Sequence, residues 1–145
     1  MLQNRFSILL VEDDDVDREV VNRAIKRQEL GCSLYTASEG AEALSILRGE
    51  SADKLNEDFV VLLDLNMPGM NGLQFLDELR EDPELSHTIV FVLSTSEHPR
   101  DIAKAYKKNV AGYFSKTQVD LLVKMLSDYA QASLFPNPRV MQSIH

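Results

Sequence analysis

The sequence predicts an α/β fold in which a parallel sheet carries helices on both faces. Three observations lead there. Short β-capable apolar runs alternate five times with segments of helical periodicity. The main runs are continuously hydrophobic, as strands buried on both faces are. The polar residues gather just after the carboxyl ends of those runs, and right-handed crossovers return every strand to the same end of the sheet. In such sheets the site lies beyond those carboxyl ends.

The first strand is Phe6 to Val11, "FSILLV", which stops at Glu12, Asp13, Asp14 and Asp15. A helix follows, with Asp14 or Asp15 placed to cap it, Val16, Val20, Val21, Ala24 and Ile25 at helical spacing, and Gly31 ending it. "CSLYTA" is the second strand. Ser38 is placed to cap a helix through "EGAEALSILRG", with Ala41, Leu44, Ile46 and Leu47 as its apolar face and Gly49 as its stop. "ESADKLNED" has no periodicity and reads as a loop.

"FVVLLDL" is the third strand, the turn "NMPGMNG" follows, and a helix runs from about Leu73 to Glu81, with Leu73, Phe75, Leu76 and Leu79 inward and Pro83 past its end. "TIVFVLS" is the fourth strand. Pro99 opens a helix bearing Ile102, Ala103, Ala105 and Tyr106. "AGYFS" is the fifth strand, and Thr117 with Asp120 matches a capping box before a helix to about Ser133. "LFPNPRVMQSIH" reads as a tail, so residues 1–145 form one domain with a core of about 5–133 and a tail of 134–145.

One domain therefore contains the function, since 145 residues suffice for a sizeable core but not for a second full module. Fifteen Lys and Arg against twenty-three Asp and Glu give a net charge of -8, which argues against direct binding to nucleic acid. No stretch approaches the roughly 20 apolar residues of a membrane span, and the start lacks a signal pattern, so a soluble, cytoplasmic protein is expected. Cys32 is the sole cysteine, which excludes an internal disulfide and a cysteine zinc cluster; a buried inert thiol is expected. His87, His98 and His145 lack ligand spacing and read as surface residues.

Glu12 and Asp13 follow the first strand, Asp64 ends the third, Ser94 and Thr95 end the fourth, and Lys116 follows the fifth. All converge on one edge of the sheet. Three carboxylates there repel one another by about 3 kcal/mol per pair at roughly 5 Å and an effective dielectric near 20. Lys116 offsets part, and a hard divalent cation such as Mg2+ offsets more. With that charge withdrawn, Asp64, central and held by a buried strand, is the candidate nucleophile toward phosphorus. Gly69 and Gly72 let the turn pass close by, and Pro68 fixes its direction. Taken singly, Glu12 and Asp13 also suit a helix start, and Tyr113 suits packing; side chains of residues 13, 64 and 116 must come within about 10 Å for a shared site.

"ILLVEDD", "LLDLNMPGMNG", "VLSTS" and "GYFSK", in this order and spacing, resemble the receiver domain of two-component response regulators. The resemblance covers about Phe6 to Ser133. Within receivers it is most similar to stand-alone regulators, including those paired with bacterial phytochrome kinases, with "NVAGYFSK" and the long loop before the third strand as cues. The resemblance implies a flavodoxin-like sheet of order 2-1-3-4-5, and phosphorylation of Asp64 by a histidine kinase or histidine phosphotransfer protein. It further implies a magnesium site of Glu12, Asp13, Asp64 and the Asn66 carbonyl. Lys116, the Ser94 hydroxyl and the Thr95 N–H would bind the phosphoryl group, with Ser94 and Tyr113 as the switch pair.

Two departures stand out. Receivers commonly follow the lysine with proline, whereas Thr117 stands here, and a cis bond before a non-proline costs about 2.5–4 kcal/mol, so trans and cis both stay open. Ser94 replaces the commoner threonine but keeps its hydroxyl. Along the last helix Leu121, Met125, Tyr129 and Ala132 widen the apolar surface, and Leu134, Phe135 and Pro136 follow, so a homodimer through this end is expected. The competing function is a magnesium-dependent phosphatase, disfavoured because Leu65 and Asn66, not a second acid, follow Asp64. The expected protein is a phosphoacceptor signalling domain rather than an enzyme.

Overall fold

Each apolar run forms a strand because its β-branched and aliphatic side chains can point alternately into two separate cores. The computed structural model describes residues 6–51, 55, 58–67 and 69–132. Among them β1 (Phe6–Val11), β2 (Cys32–Ala37), β3 (Asp58–Leu63), β4 (Val90–Ser94) and β5 (Gly112–Ser115) alternate with helices. These helices are α1 (Asp15–Arg27), α2 (Gly40–Leu47), α3 (Gly72–Glu81), α4 (Pro99–Lys107) and α5 (Val119–Ala132). All strand pairs are parallel, in the order β2-β1-β3-β4-β5.

The period of two along each strand divides its side chains between the faces. Ile8, Leu10, Val60, Leu62 and Leu93 face α1 and α5, meeting Val21, Ala24, Leu122 and Leu126. Leu9, Val11, Val61, Leu63 and Val92 face the other three helices, meeting Leu44, Leu47, Phe75, Leu76 and Ala105. The central strands are sealed on both sides, and each fully buried Leu or Val contributes about 1.5–3 kcal/mol. That rigidity is what holds the residues following β1 and β3 in place.

The helix ends differ from the sequence expectation in several places. Asp14 caps α1, its carboxylate accepting from the Val16 and Asp17 N–H groups at 2.7 and 3.1 Å. That helix closes at Arg27, before Gly31, because Glu29 takes a left-handed conformation with φ 53°. Val16 and Val20 face outward, at 71% and 41% exposure, because α1 buries a stripe centred on Val21, Ala24 and Ile25. Ser38 caps nothing. Its N–H donates to Glu42, Glu39 occupies the cap position of α2, and Ala43 rather than Ala41 is buried.

Strand β3 ends at Leu63, so Asp64 is the first residue beyond it. Asn71 and Gln74 form a reciprocal capping box on α3. His98 caps α4 through Nδ1, which accepts the Arg100 N–H at 3.1 Å, and Ala105 is the only buried residue of that helix. A 3-10 turn, Lys116–Gln118, precedes α5, and the capping box before it is Ser115 with Gln118, not Thr117 with Asp120. No described peptide bond is cis, so Lys116–Thr117 is trans. Pro68, Ser133, the tail from Leu134 to His145 and most of the "ESADKLNED" loop lie outside the described residues.

Candidate functional site

Register brings the acids together. Val11 pairs with Leu63, so Glu12 and Asp64 leave adjacent strands side by side. The backbone holds both: the Asp64 N–H donates to the Val11 carbonyl at 3.1 Å, and the Glu12 N–H donates to the Ala37 carbonyl at 2.9 Å. Asp13, one residue on, stays exposed, whereas Glu12 and Asp64 are 3% and 5% exposed. Carboxylate oxygens of Glu12, Asp13 and Asp64 all lie within 4.8 Å of one another.

The loop after β3 is shaped around Asp64. The Asn66 N–H donates to Asp64 Oδ1 at 3.1 Å, and the Gly72 N–H donates to the Leu65 carbonyl at 3.1 Å, closing the loop onto α3. A Cβ on Gly72 would stand 2.6 Å from the Leu65 Cα and 2.9 Å from the Asp64 carbonyl oxygen, so no larger residue fits without moving Asp64. Gly69 sits at φ 72°, where a side chain would be strained.

The cation arrives from β5. Ser94 pairs with Ser115, which places Lys116 just past the rim of the sheet. Its Nζ lies 2.8 Å from Glu12 Oε1, 3.4 Å from Asp64 Oδ2 and 2.5 Å from Asp17 Oδ2. Burial opposes the charge of Lys116, but the hydrogen bonds to Asp17 and Glu12 and the charge of Asp64 outweigh it and raise its pKa. Burial, with Asp64 beside it, pushes Glu12 from 4.5 up to about 7 against the pull of Lys116. One ammonium does not neutralise this rim.

The donor set fits a hard divalent ion. Ligand oxygens around an octahedral Mg2+ at about 2.1 Å stand roughly 3–4 Å apart, inside the 4.8 Å that spans these three carboxylates, and all are oxygens. The Glu12, Asp13 and Asp64 cluster offers oxygen donors of the kind such an ion takes.

Ser94 is buried at the end of β4, its Oγ accepting the Ser96 N–H at 3.1 Å, while Thr95 is exposed. Tyr113, half-buried on β5, donates its hydroxyl to the Ser96 carbonyl at 2.7 Å, and Ser96 Oγ bonds Asp101 at 2.6 Å. The sequence-predicted residues Glu12, Asp13, Asp64 and Lys116 therefore meet directly, and Ser94 and Tyr113 are joined through Ser96. Asp17 was absent from that set. Its signal lay in the acid run: an acid in the first turn of α1 sits over the same rim as the acids before it.

Residues 8–127 match the family model of the response regulator receiver domain. The chain is 38% identical over 114 residues to the nitrate/nitrite response regulator protein NarL of Escherichia coli (strain K12), covering 79% of the chain and 49% of that protein. It thus spans about half the length of that regulator. It is 32% identical over 113 residues to response regulator Rcp1 of Synechocystis sp. (strain ATCC 27184 / PCC 6803 / Kazusa), covering 77% of the chain and 76% of that protein. The Mn(2+)-bound form of Rcp1 superposes with a TM-score of 0.73 at 29% identity, covering 90% and 99% of the two chains. The phosphorylated cyanobacterial phytochrome response regulator RcpA gives 0.75 at 29%, covering 89% and 96%.

Proposed function

Because this chain belongs to the response regulator receiver domain family, we propose that Asp64 accepts a phosphoryl group from a histidine kinase or histidine phosphotransfer protein. The observation that carries this reading is the buried Asp64 carboxylate, packed against two further carboxylates and 3.4 Å from the Lys116 ammonium. An Asp64 carboxylate oxygen attacks the phosphorus of a phosphohistidine. The P–N bond breaks, its electron pair returns to the imidazole, and an acyl phosphate forms on Asp64. Glu12, Asp13, Asp64 and the Asn66 carbonyl would hold Mg2+, which when bound supplies positive charge for the equatorial phosphoryl oxygens. Lys116 donates to a phosphoryl oxygen, and the Ser94 hydroxyl and Thr95 N–H donate to others.

The phosphoryl group adds close to two negative charges, enough to bias a two-state element. Ser94 must release the Ser96 N–H geometry to turn its hydroxyl toward the phosphate, and Tyr113 reads that change through Ser96. A phytochrome-type kinase is the favoured donor class, supported by the likeness to the cyanobacterial phytochrome response regulator RcpA. The chain would act as a switched interaction module or phosphate relay, with catalysis limited to self-phosphorylation from small donors and self-dephosphorylation. A homodimer through α5 is supported by Leu121, which is 56% exposed, and half-buried Met125.

Incubation with Mg2+ and a small phosphodonor is expected to give an acid-stable, base-labile adduct by intact-mass measurement, absent from Asp64→Ala. Wild-type protein that takes no phosphate from any small donor or histidine kinase would end this reading. Sedimentation at micromolar concentration showing monomer alone, with and without phosphate, would end the dimer.

A further inference from the structure

The contact that the phosphoacceptor chemistry does not use is the shortest one Lys116 makes. Its ammonium has three N–H donors, and three carboxylates surround it: Asp17 at 2.5 Å, Glu12 at 2.8 Å and Asp64 at 3.4 Å. All donors are occupied. A phosphoryl oxygen on Asp64 therefore gains Lys116 only by taking a donor from one of these acceptors.

The three acceptors differ in what their release costs. The Glu12 side chain is 4% exposed, so only Mg2+ held there, and no water, could replace its bond to Lys116. The Asp64 carboxylate becomes part of the acyl phosphate itself. The Asp17 side chain is 35% exposed, so water can take over the vacated oxygen. Asp17 is also held from behind, since its N–H donates to the Asp14 cap.

Resting on the reading of Asp64 as phosphoacceptor, we propose that Asp17 is a positioning residue that holds Lys116 in the unphosphorylated protein and competes with the phosphoryl group for it. Phosphorylation then exchanges the Asp17–Lys116 pair for a phosphoryl–Lys116 pair and unties the first turn of α1 from the segment leading into α5. Asp17 thereby sets how strongly the phosphorylated state is favoured without touching the phosphoryl group.

The test is the affinity of the full chain for beryllofluoride in saturating Mg2+, measured calorimetrically. Asp17→Asn is expected to bind it about two- to fivefold more tightly than wild type, the size of effect a partly exposed ion pair carries. Asp17→Glu, which keeps the charge, is expected to return toward wild type. Asp15→Asn controls for the general field: Asp15 lies in the same turn, is 91% exposed and pairs with Arg18 instead. Should Asp17→Asn fail to melt cooperatively, Asp17→Ser replaces it. Equal or weaker binding by the Asp17 variant, or equal tightening by Asp15→Asn, overturns the proposal. Wild type that binds no beryllofluoride overturns the phosphoacceptor reading itself, a result distinct from either.

Discussion

The Tyr113 hydroxyl and the Ser94 hydroxyl are both bonded to one residue, Ser96: Tyr113 donates to its carbonyl at 2.7 Å and Ser94 accepts its N–H at 3.1 Å. Ser96 also bonds Asp101 in the first turn of α4. The end of β4, the middle of β5 and the start of α4 thus share a single hinge point. Any rotation of Ser94 is felt by the tyrosine through two hydrogen bonds rather than through packing alone.

Removing the tyrosine hydroxyl should uncouple these parts at modest cost. Tyr113→Phe leaves the Ser96 carbonyl short of one donor at a half-buried position, so a loss of about 1 kcal/mol in urea unfolding is expected. Mg2+ affinity should stay unchanged, since the acids follow β1 and β3, away from β5. A loss of magnesium binding in this variant would mean that the tyrosine shapes the metal site directly.

Gly72 and Gly69 make opposite demands in one loop. At Gly72 the space is missing, because an added Cβ meets the Leu65 Cα at 2.6 Å, so Gly72→Ala must push the Asp64–Leu65 backbone aside. A loss of about 1–3 kcal/mol is expected, accompanied by weaker Mg2+ binding. At Gly69 the space is open, the nearest atom being Glu39 Oε1 at 3.8 Å, and only the φ of 72° resists a side chain. Gly69→Ala should cost about 1–2 kcal/mol and leave magnesium binding as it was. Calorimetric titration of both variants with Mg2+ separates the two cases.

These contrasts also mark what could be read from the sequence. Strands β1, β3 and β4 were legible because they are buried on both faces and write nearly continuous apolar runs. The acids and Lys116 were legible because parallel topology sends every strand end to one rim. The helix boundaries were less so. Glu29 ends α1 by adopting φ 53°, which a glutamate does not announce, and Val16 and Val20 keep helical spacing while lying beside the buried stripe rather than in it. Asp17 and Arg80 escaped because their partners are far away in the chain, Lys116 for one and four backbone carbonyls for the other. His98 reads as a surface histidine and is one, yet it also caps α4.

Cys32 should be slow to react. It is half-buried at the start of β2, and burial pushes its thiol from 9.0 up to about 11. The thiolate is the reactive form, so alkylation at pH 8 is expected to run about a hundredfold slower in the folded protein than in denaturant. Between pH 9 and 11 the unfolded chain has shed a proton that the folded one keeps. The stability from the buried neutral thiol is therefore full below pH 9 and lost as pH rises through 11. Mass spectrometry of timed iodoacetamide reactions checks the rate, and a Cys32→Ala variant with a flatter stability profile across that window checks the linkage.

Arg80 should matter as much to stability as any core leucine, although it carries a charge. Its Nε donates to the Lys108 carbonyl at 2.8 Å, its Nη1 to those of Ser86 and Thr88 at 2.9 and 2.7 Å, and its Nη2 to that of Asn109 at 3.0 Å. Burial lowers its pKa, the mark of a cation held by dipoles rather than by water. One side chain on α3 thus satisfies the loops that enter β4 and β5. Arg80→Met would strand those carbonyls, and a loss on the order of 3 kcal/mol is expected in urea unfolding. Arg80→Lys should recover less than half of it, because an ammonium cannot span four acceptors that a planar fork reaches together. The bonded loops precede the strands whereas Asp64 follows one, so Mg2+ affinity in the folded fraction should match wild type for both variants; weakened binding would show that the two ends of the sheet are coupled.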